Sequence, residues 1–269
     1  MELTQTIELI TPDRARQLLA LNTRNRPLVK ANLNKLIDEI NKGLYKFNGD
    51  SIKVSKSNVI LDGQHRLMAI VHTGIAIKTV VITGLDDDVF DTIDQGTART
   101  LGALIGMDKV DNYNICAAII PLLMIYDESG LPTTNGRRSS KPIMLKYFNE
   151  NKNEIVASAR AARSHSTMSR WLTPAYVGFL HVILSRVDNE LCADFFTKIE
   201  TGVGMDDNSP EFLLREKLIK IISSVKKESM LHRTAYVIIA WNYMREGKRP
   251  KLLRWTVNGE YAQDFPIAK

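Results

Sequence analysis

The sequence predicts an α/β domain followed by an all-helical domain, and three observations carry that reading. Short β-type runs alternate with helical patterns over roughly the first hundred residues. Beyond about Met107 only helical periodicity continues. Between the two kinds of pattern, Val59-Ile60-Leu61 runs into Asp62-Gly63 and then into a helical stretch that stops at Gly74. Strand-to-helix junctions of this kind belong to domains that cover a sheet with helices. The boundaries drawn are 1–107 for the α/β domain and 108–269 for the helical one.

In order along the chain, Thr11-Pro12-Asp13 reads as a helix start, with Thr11 as N-cap and Pro12 in the first helical position. Leu18, Leu19 and Leu21 give that helix an apolar face. Leu33, Leu36, Ile37 and Ile40 repeat the helical period over 28–40, and Gly43 is placed to end it. Ile52/Val54 and Val59/Ile60/Leu61 read as two strands around the turn-like Lys56-Ser57-Asn58. Leu67, Ile70 and Val71 supply the core face of the next helix. Ile77–Ile82 is a strand closed by Gly84, and Asp86-Asp87-Asp88 suits a short helix start. In the second half, Pro121 predicts a kink or break in the apolar stretch Ile115–Tyr126. Residues 127–142 read as an exposed loop, followed by helical patterns at 142–149, 154–163, 175–186, 190–200, 210–225 and 234–245.

Apolar residues make up 44% and charged residues 25% of the 269, an ordinary balance for a globular chain. No apolar run reaches bilayer length and the N-terminus lacks a basic-then-apolar signal, so no membrane partner and a cytoplasmic location are expected. Cys116 and Cys192 sit among apolar neighbours and read as buried thiols. The net charge of +6 is uneven: 13 Lys/Arg face 12 Asp/Glu in residues 1–107, and 23 face 18 in the remainder. The basic excess therefore lies in the helical half, where it suits either a polyanion or solubility alone.

The most informative segment is Asp62-Gly63-Gln64-His65-Arg66-Leu67-Met68-Ala69. A strand that turns through glycine into a helix gathers backbone N–H groups and the positive end of the helix dipole at one point. Such points bind anions, phosphate above all, and Arg66 can add two parallel hydrogen bonds. The alternative for Arg66 is a surface pair with Asp62.

With Ile70, this segment resembles the Gly-x-x-Arg-x-x-Ala signature of the ParB/sulfiredoxin superfamily, in the DGQHR form found in phage and mobile-element proteins. The resemblance covers roughly the first hundred residues. It implies a small mixed sheet and a motif that cradles nucleotide phosphates. It also implies a bacterial host cytoplasm if the chain is phage-encoded. Members bind or hydrolyse CTP, transfer phosphate from ATP or ADP, or act as nucleases. Gln64 stands where sulfiredoxins carry a reactive Cys, which removes sulfinic-acid repair. The nearest match to the Glu-Asn-x-x-Arg element of ParB is Asp94-Gln95-Gly96-Thr97-Ala98-Arg99, one residue longer between acid and Arg. No helix-turn-helix pattern of the chromosome-segregation proteins follows it.

The expected activity is therefore nucleoside triphosphate hydrolysis or phosphoryl transfer, with ATP or CTP as nucleotide and Mg²⁺ as its companion. Asp62 and His65 are the candidate catalytic groups, and Gly63, Gln64, His65 and Arg66 the phosphate cradle. Arg24 and Arg26, ahead of the second helix, are candidates to reach the ligand. Gln95, Thr97 and Arg99 form a second glycine turn with the same anion-site logic. For nucleic acid the candidates are Arg137, Arg138, Lys248, Arg249 and Lys251, the last three close to Arg254 and Trp255. Asp86, Asp87, Asp88 and Asp91 are read as dipole-favoured acids, and no metal-ligand set is assigned. Competing readings are a non-catalytic DNA-binding regulator and a metal-dependent nuclease. The partners to test are a nucleotide, DNA and a second copy of the chain.

Overall fold

The computed structural model describes residues 2–22, 28–93, 100–133, 139–224, 228–257 and 263–269, without the side chains of 90–92. It is a mixed α/β chain with one four-stranded sheet and many helices. By backbone contacts it divides into two compact units, 1–98 with 136–144, and 99–135 with 145–269.

In the first unit, β1 (Thr4–Ile10) leads into α1 (Pro12–Leu19), whose N-terminus is capped by the Thr11 hydroxyl accepting from the Arg14 N–H. Helix α2 (Lys30–Asn41) follows, then β2 (Ser51–Ser55), β3 (Ile60–Asp62), α3 (Gln64–Thr73) and β4 (Ile77–Leu85), with a 3-10 turn at Asp87–Thr92. The sheet order is β1-β4-β2-β3, with β2 parallel to β4 and both other pairings antiparallel. Alternation sends Ile52 and Val54 into the core and Lys53, between them, to the other face. Ile10, Ile60, Ile77 and Val81 join them against Ala15 and Leu18 of α1, Ile40 of α2, and Leu67, Ala69 and Ile70 of α3. The expected apolar face of the second helix, Leu33, Leu36 and Ile37, packs on this cluster.

Strand β1 lies outside the sequence expectations. Its register, Ile7 opposite Val80 and Ile10 opposite Ile77, puts Ile10 on the helix-covered face and Ile7 on the opposite one. Ile7 and Leu9 are exposed, so the strand shows no apolar-inward alternation. Gly84 lies within β4, ahead of its last residue, at a φ of 84°. A Cβ there would come within 2.4 Å of the Glu2 carbonyl oxygen.

The second unit contains α4 (Leu101–Gly106), α5 (Tyr113–Ser129), α7 (Lys152–Ser164), α8 (Ser166–Ser185), α9 (Asn189–Thr201), α10 (Pro210–Ser223) and α11 (Met230–Arg245). Helix α6 (Lys141–Glu150) carries the division at 144/145. Helix α8 is central and touches α5, α7, α9, α10 and α11. Trp241, Phe179, Phe195 and Phe196 are sealed inside, as are the free thiols of Cys116 and Cys192, which burial pushes up to about 11. Gly178 lets α5 approach α8, since a Cβ there would meet Ile119 Cδ1 at 2.3 Å.

One helix expectation is corrected. Pro121 does not end its helix, because α5 runs unbroken through it. Ile119, Ile120, Leu122 and Leu123 are all buried around that position, and their packing outweighs a proline cost of about 3 kcal/mol. The non-helical backbone occurs instead at Thr173 in α8, just before Pro174, with φ 65° and ψ 148°. A residue preceding proline is driven out of the α region by the ring, which explains that break. Among the described residues no helix is long and apolar enough to cross a membrane.

Candidate functional site

The bend between β3 and α3 is built by Gly63. It is the N-cap of α3 with φ 96°, a left-handed backbone that only glycine adopts cheaply. A Cβ at Gly63 would sit 3.0 Å from Ile52 Cγ1 and 3.2 Å from Ile52 Cα, so β2 closes the same position sterically. Glycine brings no side chain of its own to cap the start of α3. The positive end of the helix faces the bend, with the Asp62 carboxylate beside it.

Asp62 faces two donors. Its Oδ1 accepts the Gly63 N–H at 2.7 Å, and its Oδ2 lies 2.8 Å from Nζ of Lys53, both side chains about one quarter exposed (25%). Gln64 is buried at 6% exposure, and its Oε1 accepts from Asn22 Nδ2 at 3.2 Å. His65 Nε2 accepts the Val29 N–H at 3.0 Å, which describes a neutral ring with its proton on Nδ1. Asn22 and Val29 thus hold the chain at the motif on either side of residues 23–27.

Arg66 is turned inward. Its Nη1 donates to the Ser51 carbonyl at 3.0 Å and its Nη2 lies 3.2 Å from Asp50 Oδ2, with the side chain only 13% exposed. Tyr45 stands beside it. Burial raises the Tyr45 hydroxyl above its usual range, and the Arg66 charge pulls partly against that rise. The surface pair anticipated between Arg66 and Asp62 is not formed; Lys53 holds Asp62 and Asp50 holds Arg66. Arg66 ties the first turn of α3 to the start of β2, and what remains for a ligand is the edge of one guanidinium.

Four of the expected residues, Asp62, Gly63, Gln64 and His65, are together at the bend, with Arg66 directly behind it. Arg24, Arg26, Gln95, Thr97 and Arg99 lie outside the described residues, as do Arg137 and Arg138. Lys53 was missed by the sequence reading, although its place was available: one lysine between two core residues of a strand beside the motif strand. Asn22 and Asp50 carry no sequence signal. Both are loop residues brought in by tertiary packing.

Two members of the acidic run have local partners: Asp86 pairs with Lys56, and Asp87 accepts from the Ser57 hydroxyl. In the second unit, Lys248 pairs with Glu246 at 2.7 Å and Arg249 with Asp206 at 2.8 Å, while Lys251 is exposed. Trp255 offers no open face for base stacking: it is 6% exposed, packs edge-on against His232 and Phe265, and donates Nε1 to the Asp264 carbonyl at 3.0 Å. No family profile, curated protein or solved structure matches this chain.

Proposed function

We propose that the chain binds a nucleoside triphosphate through its phosphates at the β3–α3 bend and hydrolyses it or passes on a phosphoryl group. The observation that carries the reading is the left-handed Gly63, which opens α3 with its positive end at the bend beside the Lys53–Asp62 pair. The resemblance of Asp62–Ile70 to the ParB/sulfiredoxin signature supports the same assignment. Charge neutralisation would come from the α3 dipole and from Lys53, the cation next to the bend. Arg66 would hold the turn in shape and lend at most its outer N–H groups.

Asp62 and His65 are the groups placed to handle a proton. His65 is neutral as held, with its proton on Nδ1, so it can accept one at Nε2 once the Val29 contact shifts. Both oxygens of Asp62 already have donors, so a Mg²⁺ ion would be carried mainly by the triphosphate.

Thermal-shift titration of the full chain with ATP, CTP, GTP and UTP, with and without Mg²⁺, tests the binding step. A nucleotide at about 100 times its Kd stabilises the fold by about 2.7 kcal/mol, a shift of several degrees. Lys53→Met weakens the response at least tenfold in concentration, whereas Asp62→Asn and His65→Gln leave binding and remove phosphate release. The absence of any shift at millimolar nucleotide refutes the assignment.

A further inference from the structure

The second unit contains a groove of about 590 Å³ that the bend does not involve. One wall is α10 and the other is the chain just after α11, residues 251–254. Lys217 and Lys220 come from α10, three residues apart and so on one helix face, and Lys251 and Arg254 come from the opposite wall. Four cations therefore meet two acids, Glu216 and Glu228.

The partners of these groups decide what the groove can take. Lys251 and Arg254 are exposed and have no ion pair among the described residues. Lys217 lies 4.0 Å from the centre of the Tyr236 ring and makes no ion pair among the described residues. Lys220 shares Glu216 at 3.7 Å in an exposed pair that counts for little in water. Glu228 turns one carboxylate oxygen, Oε2, away from solvent. By contrast, Lys248 and Arg249, a few residues earlier, are each already matched by an acid. Among the described residues that line the groove none is aromatic, and the neighbouring Tyr236 and Trp255 are buried.

We propose that this groove binds the phosphodiester backbone of a nucleic acid, through Lys217, Lys220, Lys251 and Arg254. Contacts of charge without stacking or base-edge donors make the binding independent of sequence and steeply dependent on salt. The site stands apart from the nucleotide reading and is tested without nucleotide.

The experiment is fluorescence anisotropy of labelled single strands and duplexes of about 20 nucleotides, titrated with the full chain from about 50 to about 200 mM salt. Four phosphate contacts give a slope of log K against log salt of about −3 for a single strand and about −3.5 for a duplex. Lys251→Ala/Arg254→Ala, on an irregular exposed segment, weakens binding at least tenfold at low salt and flattens the slope by about 2. Lys248→Ala/Arg249→Ala stays within about threefold of the original chain, since those charges are already paired. The proposal is overturned if neither nucleic acid binds at low salt. It is overturned equally if the second double variant loses as much as the first, or if polyglutamate binds more tightly than nucleic acid, which would mark an acidic protein as the partner.

Discussion

Arg66 stands for the lesson at the scale of single residues. Its place in the motif suggested a phosphate clamp, yet its guanidinium is used to fasten α3 to Ser51 and Asp50. Arg66→Ala removes a nearly buried donor and strands the Ser51 carbonyl, and should lower stability by about 1–3 kcal/mol in urea unfolding. Arg66→Lys should recover only part of that loss, because an ammonium cannot reach both acceptors in one plane. Gly63→Ala combines a left-handed backbone with the contact at Ile52, and should cost about 1–3 kcal/mol. An unchanged unfolding midpoint in Gly63→Ala would show that the bend is not conformationally constrained. The glycine was legible from the sequence because its job is local. The inward turn of Arg66 was not, since Asp50 and Ser51 lie far behind it in the chain and carry no motif.

Among elements, α8 shows how one helix end can depend on another helix. Its start is capped by Glu200 of α9, whose carboxylate accepts from Thr167 N at 2.8 Å and Met168 N at 2.9 Å. Burial alone would raise the Glu200 carboxyl, but these backbone N–H groups outweigh it and hold the group below its usual 4.5. A lowered acid stabilises the fold above its unfolded value, and the contribution is lost as pH falls through the folded one. Glu200→Gln should therefore cost about 1–2 kcal/mol at neutral pH, with the gap to the original chain closing below about pH 4.5. A gap that persists unchanged at pH 3 would mean that packing, not charge, accounts for the effect. Elements with inward apolar spacing, such as α2 and α3, were readable in advance. Strand β1 was not, because Ile7 and Leu9 face outward and only pairing with β4 makes it a strand.

For the molecule as a whole, acid sensitivity follows from a buried imidazole. His181 lies inside the second unit, with Nδ1 2.9 Å from the Ser158 hydroxyl, and burial, aided by the His165 charge, lowers its pKa from 6.5 to about 4. The unfolded chain takes up this proton below pH 6.5 while the folded chain does not until about pH 4. Stability should be full above 6.5 and fall between 6.5 and 4, by up to about 3 kcal/mol. His181→Asn should flatten the decline of the melting temperature across that window. An equal decline in the variant would assign it elsewhere. The two halves also differ in charge, with the basic excess in the helical half. Its local expression is the groove between α10 and residues 251–254, where Lys251 and Arg254 are unmatched.

Read without coordinates, the chain already announced a first part of strands and helices, a second part of helices, and a glycine bend opening a helix. Each rests on spacing within a few residues, where backbone sterics and amphipathic period act directly. Folding alone decided which cation stands at the bend, which strand edges the sheet and which charges find partners. Those outcomes depend on groups distant in sequence meeting at a few ångströms, and no local pattern encodes that meeting.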